Sequence, residues 1–329
     1  MSAQPKPLVF ALTPLYPQAQ ALATKHFNLV QPSDEGFDQW RQKADGLMTT
    51  SHPIKRQDVE IIKAEGKLKF VAKQGTGVDM IDLVAMRDLG VPVMNTPGIN
   101  AQAVAELALG LIMDVARRIS ITHSRLSGGL PVSKADGLKG QTLFSKTLGL
   151  IGGGDTGFAL ARMFNAAFNA PIILFDPFLS VSDLQRWTRA IPAPLLNHVP
   201  SVDELLTQSD VVSLHCPLTT QTKGMISLPQ LRAMKSTAVL VNVARGGIVD
   251  EGDLETALKE NMIAGVGLDV TVIEPPTKER YGALCGAGNC VITPHYGAAP
   301  ADVQEATCLA MVEHLIEAFD GHPLRDRVV

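Results

Sequence analysis

The chain has 329 residues, enough for two domains and a large core, and 46% of them are apolar. With 29 basic and 33 acidic residues, the net charge is −4. Without a basic excess, nucleic acid is not an expected partner, and no apolar run approaches the ~18 residues of a membrane span.

Short apolar runs alternate with helical patterns from end to end, the signature of a parallel α/β protein. In the first hundred residues the expected strands are Leu8–Leu12, Gly46–Thr50, Lys69–Lys73 and Val91–Asn95. A long helix-like segment follows from Asn100, a plausible N-cap, to Ile119. Residues 123–146, rich in Gly, Ser and Lys, read as a loop or arm. The alternation then restarts, with strands at Thr147–Ile151, Ile172–Phe175, Val211–His215, Val239–Val243, Ala264–Val270 and Cys290–Thr293. Helices are expected at Phe158–Phe168, Val202–Thr207, Pro229–Met234, Glu251–Glu260 and Ala301–Phe319. The pattern describes a six-stranded unit preceded by a smaller one, with a last helix that returns to the first. Such a chain crosses twice between domains, with a cleft between them and hinges near 98–100 and 295–300. Met1–Leu12 lacks a charged segment leading into a signal-type apolar stretch, so the default address is cytoplasmic. Cys216, Cys285, Cys290 and Cys308 form no Cys-x-x-Cys pair and accompany no histidines at ligand spacing, so no metal site is expected.

One window carries most of the chemistry. The strand ending at Ile151 runs into Gly152-Gly153-Gly154-Asp155-Thr156-Gly157, then a helix, a second strand and Asp176. Gly152 permits the tight turn, Gly154 lets the backbone approach a pyrophosphate, and Gly157 lets helix and sheet pack closely. The helix N-terminus then faces the phosphate charge. Asp176 stands about 20 residues on, the spacing of an acid that hydrogen-bonds ribose hydroxyls. Its carboxylate repels a 2′-phosphate and the adjoining Pro177 and Phe178 offer no cation, which favours NAD over NADP; Arg186 and Arg189 reach the place only by folding back.

Three ionisable residues stand just past expected strand ends, where ligands of such sheets bind. Arg245 follows Val239–Ala244 and precedes Gly246-Gly247. Glu274 follows Leu268-Asp269-Val270 and precedes Pro275-Pro276. His295 follows Val291-Ile292-Thr293-Pro294. An apolar strand delivering one charged side chain into a Gly or Pro turn is a site-like pattern, and it occurs here three times.

These segments, with Lys73-Gln74-Gly75-Thr76-Gly77-Val78-Asp79, Val104-Ala105-Glu106 and Leu214-His215-Cys216-Pro217-Leu218-Thr219, resemble the D-isomer-specific 2-hydroxyacid dehydrogenases in register from about residue 45 onward. The resemblance implies a Rossmann-type doubly wound sheet inserted into a smaller flavodoxin-like α/β substrate domain. The parts would be 1–99 and 296–329 for the substrate domain and 100–295 for the NAD-binding domain. It also implies a homodimer, with helix 100–119 and the following arm at the contact. His295 would act as general acid and base, and Glu274 would hold its imidazole in one tautomer and favour its charged form. Arg245 would bind the substrate carboxylate and polarise the carbonyl, with the N–H groups around Thr76, Gly77 and Val78 completing that site. Asp269 would face the nicotinamide. The glycines 152, 154 and 157, with Asp155, Thr156, Asp176, His215, Pro217, Thr222, Ala244, Arg245 and His295, would line the cofactor.

Some positions depart from the family pattern. Asp155 stands where the family usually carries a cation, Met80 replaces a common Asn, and Tyr296 is bulkier than usual. Thr50 occupies a loop position where members acting on phosphoglycerate tend to carry an Arg, which argues against a phosphorylated substrate unless Lys55, Arg56 or Lys73 compensates. His52 is at least as well read as a capping or surface residue as a pocket one. Glu274 argues against a formate-oxidising relative, which carries Gln there. The expected activity is NAD-dependent interconversion of a small 2-keto acid, such as glyoxylate, hydroxypyruvate or a pyruvate-like compound, and its D-2-hydroxy acid. The alternatives are a 3-phosphoglycerate or phosphite dehydrogenase of the same family, and a co-repressor-like NAD-sensing protein.

Overall fold

The computed structural model describes residues 5–329; the first four, part of the stretch read above for a leader, lie outside the described residues. The chain forms two compact units, one made of the residues up to Asn100 with Ala299–Val329, the other of Ala101–Ala298.

The first unit begins with β1 (Leu8–Ala11), α1 (Pro17–His26), β2 (Asn28–Val30), α2 (Trp40–Lys43) and β3 (Gly46–Thr49). It continues with α3 (Arg56–Glu65), β4 (Phe70–Lys73), α4 (Leu83–Leu89) and β5 (Val93–Met94). All pairings are parallel, in the order β2-β1-β3-β4-β5, the flavodoxin-like arrangement. Successive side chains point to opposite faces, so Phe10, Leu47, Val71 and Val93 join one apolar layer. Val9, Ala11, Met48, Ala72 and Met94 join the other.

The second unit starts with α5 (Ala101–Arg117) and α6 (Ile119–Ser127), then β6 (Leu148–Ile151), α7 (Asp155–Phe168), β7 (Ile172–Phe175), α8 (Val181–Ala190) and β8 (Leu196–His198). Next come α9 (Val202–Gln208), β9 (Val211–Leu214), α10 (Leu228–Ala233), β10 (Val239–Asn242), α11 (Glu251–Lys259), β11 (Gly265–Leu268), α12 (Lys278–Ala287) and β12 (Cys290–Ile292). Its seven parallel strands run β12-β11-β10-β9-β6-β7-β8. The order reverses at β6, so the glycine turn opens at the switch point, where such sheets bind ligands. Both faces are apolar and covered: Leu148, Leu150 and Val241 lie on one, Ile151, Leu240 and Val266 on the other.

Four differences from the sequence expectations have physical causes. The sheet has seven strands rather than six. The added β8 is an edge strand of three residues, Leu-Asn-His, too short and polar to register as an apolar run, and β2 at the edge of the first sheet is equally short. The expected helix 100–119 ends at Arg117, because Arg118 takes φ +58°, and Asp114 accepts the Ser120 N–H at 2.7 Å as the chain restarts in α6. That helix and a 3₁₀ turn at Lys134–Lys139 occupy much of the arm read as irregular. Finally, α8 and α12 went unread because each buries few residues: Trp187 in α8, Tyr281 and Leu284 in α12.

The last helix, α13 (Ala301–Phe319), returns to the first unit and covers the face formed by Val9, Ala11, Met48 and Ala72, with Cys308, Met311, Val312 and Leu315 fully buried against it. Gly46 is required there, since a Cβ would stand 2.9 Å from the Phe319 ring. Leu315→Ala is expected to cost about 2–5 kcal/mol through the cavity it leaves. A lowered urea midpoint, read by far-UV circular dichroism, checks it.

Candidate active site

The glycine turn is shaped by contacts a side chain would destroy. Gly152 takes φ +105°, and a Cβ there would lie 2.7 Å from the His215 carbonyl; one on Gly157 would lie 2.3 Å from the Gly152 carbonyl oxygen. Gly154, by contrast, has open space where its Cβ would be. The first intrahelical bond of α7 runs from the Phe158 N–H to the Gly154 carbonyl at 2.9 Å, so the N–H groups of Asp155, Thr156 and Gly157 precede it and point from the helix N-terminus. Asp176 caps β7 and accepts the N–H of Gly153 at 2.8 Å and of Phe178 at 2.9 Å, tying the turn to the second strand. Its carboxylate keeps lone pairs for ribose hydroxyls.

Asp155 does not leave an uncompensated anion at the turn. Arg186 from α8 reaches it at 2.6 Å while its guanidinium lies 4.0 Å from the centroid of the Phe158 ring. Arg186 therefore folds back, as the sequence allowed, but onto Asp155. It restores beside the turn the cation the segment lacks. An open helix N-terminus, a bare Gly154, an acid on β7 and a buried His215 nitrogen with no partner fit a dinucleotide.

Arg245, Glu274 and His295 follow β10, β11 and β12, three adjacent strands of one sheet edge. Asn242, 1% exposed at the end of β10, accepts the Ala244 N–H at 3.0 Å and donates to the Arg245 carbonyl at 2.8 Å. Arg245 also donates through Nη1 to the Ala244 carbonyl at 2.7 Å. Gly246 permits the close approach of this loop to the next, since its Cβ would lie 2.1 Å from the Thr271 oxygen. In that next loop Glu274 accepts the Thr271 N–H at 3.3 Å through Oε1 and meets His295 Nδ1 at 2.8 Å through Oε2. His295 itself takes φ +56°, the left-handed region.

The histidine loop is held by Asp269, which is 2% exposed. Its Oδ1 accepts the Thr293 hydroxyl at 2.6 Å and the Tyr296 N–H at 3.1 Å, and its Oδ2 the Gly297 N–H at 3.0 Å. These contacts turn Asp269 toward the chain around His295, a role that sequence reasoning missed, as it missed those of Asn242 and Thr271. An Asn or Asp at a strand end beside a functional loop is the available signal, because short polar side chains bond nearby backbone. Thr222 donates to the Pro217 carbonyl at 2.6 Å and so shapes the loop after β9, while Ala244 is buried beside Arg245. Tyr296 is 43% exposed beside the histidine.

In the first unit, the loop after β4 carries Gly75 at φ +86°, with its N–H on the Thr96 hydroxyl at 2.6 Å. The Thr76 carbonyl accepts from Asn95 at 2.8 Å, and the N–H groups of Thr76, Gly77 and Val78 have no acceptor among the described residues. Thr50 donates to Gln74 at 2.8 Å, Arg56 pairs with Asp82 at 3.1 Å, and Lys73 is buried and donates to the Gln74 carbonyl. Met80 packs against the core of this unit, and His52 stands edge-on to Trp40 at 6.0 Å. Among the described residues, no group of three or more His, Cys, Asp or Glu side chains is placed to hold a metal ion, and no helix is long and apolar enough to cross a membrane.

Sheet order, glycine turn and strand-tip acid together define a dinucleotide-binding α/β protein. Residues 109–297 match the family model of the D-isomer specific 2-hydroxyacid dehydrogenase NAD binding domain. The chain is 38% identical over 258 residues to a hydroxypyruvate reductase of Thermotoga maritima, covering 78% of this chain and 80% of the relative. It is 33% identical over 324 residues to a glyoxylate reductase of Korarchaeum cryptofilum, covering 94% and 92%. A D-3-phosphoglycerate dehydrogenase of Archaeoglobus fulgidus is 35% identical, but the chain spans only 49% of its length. The crystal structure of the TT0316 protein from Thermus thermophilus superposes with a TM-score of 0.82 at 31% identity, over 98% of this chain and 99% of that one. The chain belongs to the D-isomer-specific 2-hydroxyacid dehydrogenase family: it is an NAD-dependent oxidoreductase acting on the CH–OH group of its donor.

His215 adjoins the glycine turn with Nε2 at 2.9 Å from the Ser213 hydroxyl and Nδ1 shut off from solvent without a partner. Burial lowers it from the ordinary 6.5 to about 3, so the ring is neutral at working pH, and burial raises the neighbouring Cys216 thiol to about 11, so that sulfur is no nucleophile. The unfolded chain takes up a proton at His215 near pH 6.5 that the native protein refuses until about pH 3. Stability from this group is therefore complete above 6.5 and declines as pH falls from there toward 3. The ring C–H resonances of His215 are expected to stay constant between about pH 5 and 8, where an ordinary histidine titrates; a titrating signal contradicts the assignment.

Proposed function

We propose that the protein interconverts a small, unphosphorylated 2-keto acid and its D-2-hydroxy acid, with glyoxylate, hydroxypyruvate and pyruvate-like compounds as the candidate class. The observation that carries this reading is the 2.8 Å contact of Glu274 with His295 Nδ1 on the same sheet edge as Arg245. The named activities of the hydroxypyruvate and glyoxylate reductase relatives support the substrate class.

Bound nicotinamide supplies the hydride for the keto carbon, and the protein's residues do the rest. With Nδ1 committed to Glu274, Nε2 of His295 is the ring atom left to give a proton to the keto oxygen, or to take it back in the oxidative direction. Glu274 balances the imidazolium and fixes its orientation. The Arg245 guanidinium grips the substrate carboxylate in a planar fork. We assign the loop of Thr76, Gly77 and Val78 in the first unit to substrate binding. On the cofactor side, the helix N-terminus at Asp155 and Thr156 takes the pyrophosphate, Asp176 the ribose, and His215, Pro217, Thr222, Ala244 and Asp269 border the rest. The unit formed by the residues up to Asn100 and Ala299–Val329 is the substrate domain in this reading. Thr50 bonded to Gln74, Arg56 paired with Asp82 and Lys73 turned onto a carbonyl leave the loops after β3 and β4 poorly suited to a phosphate, which favours the unphosphorylated class over phosphoglycerate.

The test is NADH oxidation against a panel of 2-keto acids that includes 3-phosphohydroxypyruvate, with NADPH in parallel. Turnover of a small keto acid with NADH is expected. His295→Ala should lower kcat about 10²–10⁴-fold while NADH fluorescence titration shows binding intact. Full turnover by that variant, or activity confined to the phosphorylated compound, sinks the proposal.

We also propose a homodimer. Ile119, Leu126, Leu130, Leu138 and Phe144, between 55% and 85% exposed to solvent in the single chain, gather large apolar side chains in α6 and the arm that follows. Sedimentation should give twice the chain mass, and Leu138→Glu combined with Phe144→Glu should shift it toward the monomer.

A further inference from the structure

The loop of Thr76, Gly77 and Val78, assigned to substrate binding, follows β4, and the adjoining β5 is the outermost strand of the first unit's sheet. An outermost strand leaves one row of backbone groups without a strand partner. Here residues 326–328 supply one. They run antiparallel to β5 with Arg327 opposite Met94, the Val328 N–H on the Val93 carbonyl at 2.7 Å and the Asn95 N–H on the Asp326 carbonyl at 3.1 Å. Asp326 takes φ +51° in the turn before this pairing, and Arg325 is clamped to Glu317 of α13 by two bonds of 2.6 Å.

Asn95 stands where these contacts meet. Besides its N–H bond to Asp326, its carbonyl accepts from Nδ1 of the buried His314 in α13 at 3.0 Å, and its side-chain amide donates to the Thr76 carbonyl at 2.8 Å. The next residue, Thr96, is also buried. It gives its N–H to the Gly75 carbonyl at 3.3 Å and accepts the Gly75 N–H on its hydroxyl at 2.6 Å. Two successive carbonyls, those of Gly75 and Thr76, are therefore pinned by the residues that extend β5. A trans peptide is planar, and its C=O and N–H point in opposite directions. Pinning the Gly75 carbonyl thus turns the Thr76 N–H away from Asn95 and Thr96, and pinning the Thr76 carbonyl does the same for the Gly77 N–H. Both are among the donors without an acceptor among the described residues.

We propose that Asn95 is a positioning residue that aims the Gly77 N–H for an anionic oxygen of the substrate, and that residues 325–328 are the strap that keeps Asn95 in place. The proposal rests on the assignment of this loop to substrate binding. Thr76 has a glycine on each side, and Gly75 stands at φ +86°, so the Thr76–Gly77 peptide has other orientations open to it once the bond from Asn95 is gone. The bond removes those orientations before substrate arrives, and the cost of ordering the loop is not drawn from binding. The residue type matters, because a carbonyl oxygen needs a donor. An Asp of the same shape would set a carboxylate against it.

The experiment compares Asn95→Ala, Asn95→Asp, Val328→Pro and Gly75→Ala with the wild type, using glyoxylate and hydroxypyruvate as the keto acids. Both Asn95 variants are expected to raise KM about tenfold with kcat little changed, the pattern of lost substrate binding. NADH affinity, read by fluorescence titration, and Tm should stay as they are. Val328→Pro removes the N–H that ties the strap to β5. It should raise KM in the same direction and speed amide exchange, read by mass spectrometry, in the peptide holding Asn95 and Thr96. Gly75→Ala disturbs the loop directly, since a side chain at that φ is strained. A raised KM in Gly75→Ala with none in the Asn95 variants overturns the proposal and leaves the loop's assignment standing. An unchanged KM in all four overturns both. A joint fall of kcat, NADH affinity and Tm in Asn95→Asp also overturns the proposal, because it marks a merely structural residue.

Discussion

The buried carboxylate of Asp269 anchors the functional edge of the nucleotide-binding unit. Three donors from a five-residue stretch, the Thr293 hydroxyl and the N–H groups of Tyr296 and Gly297, converge on its two oxygens. Charge-assisted bonds of this kind are about twice as strong as neutral ones, and here they hold His295 at φ +56°. A β-extended His295 would direct its imidazole elsewhere and leave Glu274 without its partner. The contact at 2.8 Å is thus a consequence of a carboxylate on β11's extension organising the chain after β12. Asn242 does the same for Arg245 one strand away, so Arg245 and His295 each stand on a loop whose backbone is tied down by a buried polar neighbour.

The cofactor side uses another solution. An acid at the first position of a helix suits the macrodipole but opposes an incoming pyrophosphate. Arg186 resolves the conflict by pairing with Asp155 and resting on Phe158, so the local charge is balanced by a residue from α8. This pair is half exposed and contributes little to stability; its importance is for the field at the turn. It also occupies the arginine most able to receive a 2′-phosphate, which agrees with NAD as the cofactor.

Much of this was legible from residue order. Buried parallel strands read as continuous apolar runs, so every interior strand stood out, and the glycine turn declared itself because Gly152 and Gly157 face backbone that excludes any Cβ. Arg245, Glu274 and His295 were visible because each ends such a run. What escaped depends on contacts between segments far apart in the chain. Arg186 lies 31 residues from Asp155, Asp269 lies 24 to 28 residues from the groups it holds, and neither pairing leaves a periodic trace. The edge strands β2 and β8 escaped for the opposite reason: half-exposed strands of three residues have no apolar face to repeat. Met80, read as a departure from the family pattern, proved to be a packing residue, and no pattern of single letters separates a core methionine from one in a pocket.

The return of α13 to the first unit has a consequence for synthesis. The sheet face of Val9, Ala11, Met48 and Ala72 is complete once β5 has emerged at Met94, with Ala19 and Ala23 of α1 already in its apolar layer, but the second helix in that layer starts only at Ala301. At about 5–20 residues per second, the intervening ~200 residues take about 10–40 s to appear. Throughout that interval the part of this layer that α13 supplies is missing, while the inserted unit, continuous in sequence, is free to fold. The inserted unit therefore has its complete sequence at hand before the first unit has its last helix.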